Sequence, residues 1–128
     1  MILIVDDDPI VRNLTSRQLC RLGFQSIAVG SGEEAVDAVN GEFQMIFMDI
    51  GLPGITGEHA ALLIREKELQ KRLPRVPIVA LTAYASHKNF TLAGMDDHLQ
   101  KPAMLADIER MVQKWARKNG NKSTSLDI

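Results

Sequence analysis

Asp6, Asp7 and Asp8 end a short apolar run, Ile2 to Val5, and another run, Met45 to Met48, ends on Asp49. Thr82 follows the run Ile78 to Leu81, and Lys101-Pro102 follows the short stretch Asp97 to Gln100. If these runs are buried parallel strands, their carboxylates meet at one edge of a sheet, where mutual repulsion calls for a bound cation. Carboxylate oxygens suit a hard ion such as magnesium, with manganese as a substitute, and such an ion neutralises charge on a transferring phosphoryl group. Asp49 is then a candidate nucleophile giving a covalent aspartyl phosphate. Lys101 offers a point charge to phosphate oxygens and Thr82 a short hydroxyl donor. A carboxylate already carries its charge, so no general base is required, and the chain holds no obvious Ser-His-Asp set.

For these residues to meet, the runs must be neighbouring strands. Apolar runs alternate with amphipathic stretches along the chain, which predicts an α/β fold: a parallel sheet covered by helices on both faces. Five strands are expected, at Ile2 to Val5, Ser26 to Val29, Phe43 to Met48, Ile78 to Leu81 and Asp97 to Gln100. Asp8-Pro9 reads as an N-cap with proline at the first helical position, followed by an inward face of Val11, Leu14, Leu19 and Leu22 before Gly23. Ser31 to Glu34 matches a capping box, with Ala35, Val36 and Val39 as the stripe and Asn40-Gly41 as the stop. A third helix is expected from about Gly57 to Lys71 through Ala61, Leu63, Ile64 and Leu69. A last one carries Met104, Ile108, Met111, Val112 and Trp115 inward. The stretch from Ser86 to Ala93 is short and polar, the weakest helical signal of the chain. In a doubly wound, flavodoxin-like sheet of order 2-1-3-4-5, the ligand crevice lies between strands one and three, and there Asp6, Asp7 and Asp49 converge with Thr82 and Lys101.

Length and composition are those of one ordinary globular domain: 128 residues, 45% hydrophobic and 24% charged. A formal net charge of -1 gives no broad attraction to nucleic acid or to an anionic membrane. The lone Cys20 cannot form an internal disulfide, and no apolar run reaches the length of a signal-peptide core or a membrane span. The cytosol is the default compartment, with no direct nucleic-acid or membrane contact expected. Residues 1–118 form the expected domain and 119–128 a solvated tail or linker stub.

Asp6-Asp7, Met48-Asp49-Ile50, Pro53, Gly57, Leu81-Thr82-Ala83 and Lys101-Pro102 stand in an order that resembles the receiver domain of two-component response regulators and hybrid sensor kinases. Each motif alone is weak, whereas the ordered set is specific and spans about residues 1–118. The resemblance implies that Asp49 accepts a phosphoryl group from a histidine kinase, a histidine phosphotransfer domain or a small phosphodonor. It implies that Asp7 and Asp49 bind magnesium directly, with Asp6 acting through water and the Gly51 carbonyl completing the protein ligands. Thr82 would move toward the phosphoryl group, and the residue three positions before Lys101, here His98, would turn inward. The Lys101-Pro102 bond is commonly cis in such domains.

Two departures from the family pattern stand out. Histidine at 98 replaces the commoner tyrosine or phenylalanine and would make that position polar and sensitive to pH, unless it is merely a tolerated, partly exposed residue. The spacing from Thr82 to Lys101 is a few residues short, so the helix expected between them is shortened or irregular, while the segment from Glu66 to Pro77 is slightly extended and reads as a loop without known chemistry. Plainer roles compete elsewhere. Asp8 reads as a helix cap, Thr82 could cap the following segment, and Tyr84 packs against or rims the pocket. His59 and His87 lack a second ligand at metal spacing, Cys20 reads as a small helix residue, and the scattered methionines read as core filling.

Other functional classes remain open from the residues alone. A phosphatase of the haloacid dehalogenase type would share an Asp-x-Asp, a post-strand threonine and a lysine. In that family the paired magnesium acids follow the threonine and lysine, and here only Asp96-Asp97 lies near that position. A pseudo-receiver would keep the fold without phosphorylation, but Asp49, Lys101 and the paired acids are all present. The start at Met1 so close to the first strand, and the stretch Met95 to Pro102, favour a receiver excised from a hybrid sensor histidine kinase over a single-domain response regulator. A histidine phosphotransfer domain would then dock beside the first helix, near Val11, Leu14, Thr15 and Gln18.

Overall fold

The four residues of Ile2 to Val5 are fully buried, as expected of a strand covered on both faces. The computed structural model describes residues 1–83 and 93–116. The elements run β1 (Ile2–Val5), α1 (Pro9–Arg21), β2 (Ser26–Val29), α2 (Gly32–Ala38), β3 (Met45–Asp49), α3 (Gly57–Lys71), β4 (Ile78–Thr82), β5 (Asp97–Gln100) and α4 (Leu105–Trp115). All neighbouring strands are parallel, in the order β2-β1-β3-β4-β5. The expected doubly wound architecture is therefore present. The short helical signal at 86–92, with Tyr84 and His87, and the tail at 119–128 lie outside the described residues.

Alternate residues of the strands feed two cores. Leu3, Val5, Ile46, Met48, Ile78 and Ala80 pack beneath α2 and α3, against Ala35, Ala60, Ala61 and Ile64. On the other face Ile2, Ile4, Phe47, Val79, Leu81 and Leu99 meet Leu19 of α1 and Ile108, Met111 and Val112 of α4. No helix among the described residues is long and apolar enough to cross a membrane.

The caps form largely as their residue types dictate. The Asp8 side chain accepts from Ile10 N at 2.9 Å with Pro9 as the first helical residue, and the Ser31 hydroxyl accepts from Glu34 N at 3.1 Å. The Glu34 carboxylate reaches back one residue further than a capping box requires, taking the Gly30 N–H at 2.9 Å. Helix α2 stops at Ala38, with Val39 as its C-cap and the Asn40 side chain accepting from Glu42 N. Its C-terminal carbonyls are also capped from α3, because Lys67 Nζ donates to Val36 O at 2.8 Å and Asp37 O at 3.1 Å.

Four residues sit differently from their hydrophobic pattern. In α1 the inward position belongs to Thr15, while Leu14 is half exposed. Met104 is the exposed N-cap of α4 rather than part of its inward face. Phe43 is buried but precedes β3, which begins at Met45. In α3, Leu69 is 82% exposed and Glu68 is buried in its place. Glu68 is held by Arg65 Nη1 at 3.0 Å and by Val76 N at 2.8 Å. Arg65 also donates to Gly94 O, Val76 O and Asp96, and Asp96 takes Arg75 and Ile78 N as well. The segment that reads as a featureless loop is thus one side of a satisfied ionic network at the N-terminal edge of the sheet, joining α3 to the entries of β4 and β5.

Candidate active site and metal centre

Parallel pairing with this register brings the carboxyl ends of β1, β3, β4 and β5 to one edge, the usual ligand crevice of such sheets. Asp6 stands just past β1, its N–H bonded to Val29 O at 3.1 Å. Its Oδ1 accepts from Asp8 N at 2.9 Å, and its carbonyl accepts from Arg12 Nη1 at 2.8 Å. Asp49 ends β3, buried, with Oδ1 accepting from Gly51 N at 3.1 Å. Thr82 ends β4, also buried, and its carbonyl accepts from Lys101 N at 2.7 Å. The Lys101-Pro102 peptide is cis.

Lys101 Nζ lies between the two buried acids, 3.1 Å from Asp6 Oδ2 and 3.0 Å from Asp49 Oδ1. Asp7 is exposed, yet it offers a carboxylate oxygen to a group in which ligand atoms of Asp6, Asp7 and Asp49 all lie within 4.8 Å of one another. Three carboxylates thus face one ammonium. Asp6 is 1% exposed, and burial raises its carboxyl above the usual range. The charge of Asp49 adds to that rise, and the Asp8 N–H and Lys101 offset only part of it. Asp6 Oδ2 is buried without a hydrogen bond of regular geometry, leaving the Lys101 ion pair as its contact among the described residues. An all-oxygen cluster with uncompensated negative charge and an under-bonded buried oxygen fits a hard divalent cation.

Gly51 lies exposed beside this cluster on the turn after β3. His98 sits exposed on β5, opposite Ala80, with its backbone N–H bonded to Asp97 Oδ1 at 2.8 Å. Two further residues shape the site, and of them only Gly57 stands in the ordered motif set. Arg12 is one; its only hint is an arginine one turn into the helix that follows the acids. The other is Gly57, where an added Cβ would overlap the Asp49 carbonyl oxygen and lie 3.1 Å from Ile50 Cα. Only a glycine lets the start of α3 pack this closely on the end of β3.

The family model of the response regulator receiver domain matches residues 2–113. Among curated relatives, the sensor protein GacS of Pseudomonas syringae pv. syringae is 37% identical over 118 residues, covering 89% of this chain and 13% of that protein. The chain therefore spans a small part of that relative's length. The receiver domain of the sensor histidine kinase PA1611 of Pseudomonas aeruginosa PAO1, solved with a magnesium ion in its active site cleft, is 35% identical. It has a TM-score of 0.78 over 89% of this chain and 94% of its own. The receiver domain of the Saccharomyces cerevisiae response regulator Ssk1, solved with the histidine phosphotransfer protein Ypd1, gives 32% identity, a TM-score of 0.83, and coverage of 90% and 87%. With the family model matching residues 2–113 and relatives this similar in sequence and fold, the chain belongs to the response regulator receiver domain family.

Proposed function

We propose that this chain is the phosphoacceptor receiver of a two-component phosphorelay, taking a phosphoryl group from phosphohistidine onto Asp49. The observation that carries this is the Lys101 ammonium between Asp6 and Asp49, with Asp7 completing the acidic cluster. Gly51 N and Lys101 both hold Asp49 Oδ1 and so orient the carboxylate. The carboxylate forms the P–O bond as the P–N bond breaks, and the electron pair stays with the departing imidazole. Lys101 then follows the charge onto the phosphoryl oxygens, and Thr82, at the end of the adjacent strand, donates to them. Asp7, Asp49 and the Gly51 carbonyl would hold magnesium or manganese, with Asp6 acting through water. That ion would neutralise charge on the phosphoryl group. His98 and Thr82 are the proposed switch residues.

A groove of about 280 Å³ lined by Val11, Leu14, Thr15, Pro102 and Ala103 opens beside Lys101, and Gln18 Nε2 ties α1 to Ala103 O at 3.2 Å. This surface supports docking of a histidine phosphotransfer domain or a histidine kinase domain. The PA1611 receiver, itself part of a sensor histidine kinase, supports a hybrid sensor histidine kinase as parent, with the receiver, residues 1–118, in the cytoplasm and small phosphodonors as further sources. A single-domain response regulator is the alternative parentage. Incubation with magnesium and acetyl phosphate tests the function. The intact mass of the wild type should gain one phosphoryl group, and that of Asp49→Asn should not. Equal modification of both proteins, or none of either with a histidine phosphotransfer donor also supplied, would sink the proposal.

A further inference from the structure

Asp7 is the one acid of the cluster exposed on a turn, so something other than burial must hold it near Asp6 and Asp49. The half-buried Arg12 spans one turn of α1 and donates from Nη1 to the Asp6 carbonyl at 2.8 Å. A peptide unit is planar, so fixing that oxygen also fixes the direction of the Asp7 nitrogen and the position of its Cα. The Asp6 N–H is tied to Val29 O, its Oδ2 pairs with Lys101, and its Oδ1 accepts from Asp8 N in a turn that closes around the Asp6-Asp7 peptide. The Arg12 bond adds a second constraint, applied directly to the carbonyl oxygen of that peptide.

We infer that Arg12 is a positioning residue that pre-organises Asp7 for cation binding by clamping the Asp6-Asp7 peptide. The inference rests on the cluster being a cation site, and it deepens that proposal. Charge alone would give Arg12 the opposite effect, since a guanidinium beside an acidic cluster repels a divalent ion. The sign of the mutational effect therefore separates the two roles. Magnesium demands near-ideal octahedral ligand placement, so a loosened ligand lowers affinity.

Gly30 supplies a second handle. A Cβ added there would lie 3.0 Å from Arg12 Nη1, close enough to push the guanidinium tip aside without changing any charge.

The test is calorimetric titration of magnesium into wild type, Arg12→Met, Gly30→Ala and the double variant, with thermal melts of each. Arg12→Met should weaken magnesium binding about tenfold even though it removes a positive charge. Gly30→Ala should weaken it several-fold, and should add nothing in the Arg12→Met background. Binding by Arg12→Met as tight as wild type or tighter overturns the role of Arg12 and leaves the cation site standing. A wild type that binds no magnesium overturns both. Should Arg12→Met fail to fold, Gly30→Ala decides, and an unchanged affinity there overturns the inference.

Discussion

Lys101 Nζ lies 3.0 Å from Asp49 Oδ1 although the strands that deliver them are not neighbours, because β4 runs between β3 and β5. The bond from Lys101 N to Thr82 O roots the lysine on β4, and from there its side chain reaches back across that strand. Burial alone would lower the Lys101 pKa. The hydrogen bond and charge of Asp49, then those of Asp6, outweigh burial and hold it above the ordinary lysine range. The ammonium therefore stays charged near neutrality and compensates two buried carboxylates from different strands.

Lys101→Met should leave those carboxylates facing each other without a cation. Phosphoryl uptake from acetyl phosphate should fall by about a hundredfold or more, the usual loss when one charge-stabilising donor is removed from a site. Metal-free stability should fall by about 1–3 kcal/mol, and saturating magnesium should recover part of it by binding only the folded state. Urea denaturation with and without the ion measures this. A loss of stability that magnesium leaves unchanged would show that the acids are not its ligands.

Gly57→Ala acts on Asp49 through the backbone. The new methyl meets the Asp49 carbonyl oxygen and Ile50 Cα, so either the first turn of α3 or the end of β3 must move. Overpacking of this kind costs about 1–3 kcal/mol. Because the displaced atoms belong to the proposed phosphoacceptor, the rate of modification should fall along with the melting temperature. A destabilised variant with a wild-type rate would place all the movement in α3.

The central strands were legible from local signals, buried apolar runs of strand length each closed by a cap or turn residue, and the order followed from the doubly wound arrangement that brings their terminal acids to one edge. Asp6 and Asp49 could be placed because each directly follows such a run, whereas Lys101 follows the mostly polar stretch Asp97 to Gln100 and was placed by the Lys101-Pro102 pair. What escaped was set by partners far away in the chain. Leu69 has the better claim to the inward face of α3 by hydrophobicity, but Glu68 takes it because Arg65, Val76 N and the Asp96 cluster can satisfy a buried carboxylate there. Thr15 displaces Leu14 similarly, since the helix phase set by Leu19 against the sheet puts position 15 inside. Arg12 escaped because its partner is a backbone carbonyl, which every residue has.

Glu68→Gln tests whether that ionic network supports the fold. Arg65 would lose a charged partner while keeping Asp96, so the cost should fall at the low end for breaking a buried pair, about 3 kcal/mol. Residue 68 belongs to the network at the N-terminal edge of the sheet, and phosphoryl uptake should stay at the wild-type rate below the melting transition. A stability change within about 0.5 kcal/mol, the range of ordinary surface substitutions, would show that the network contributes nothing net.

Asp97 gives the protein a pH dependence of determined sign. At the start of β5 its carboxylate accepts from Trp115 Nε1 at 2.9 Å, Lys114 Nζ at 3.0 Å and His98 N at 2.8 Å, fastening α4 to the edge strand. Burial alone would raise its pKa, but the bonds from Trp115, Lys114 and His98 N, with the Lys114 charge, hold it below the usual carboxylate range. A carboxyl with a depressed folded pKa contributes stability that is fully present above its unfolded value, about 3.9. That stability is lost as pH falls through the folded value. Asp97→Asn should therefore cost about 1 kcal/mol near neutrality, the net worth of such bonds at a partly exposed site. The gap from wild type should narrow below about pH 4. Trp115 is the single tryptophan, so its fluorescence in urea titrations reports the unfolding directly. A gap that stays constant from neutral to acid pH would mean that the ionised carboxylate is not what holds α4 to β5.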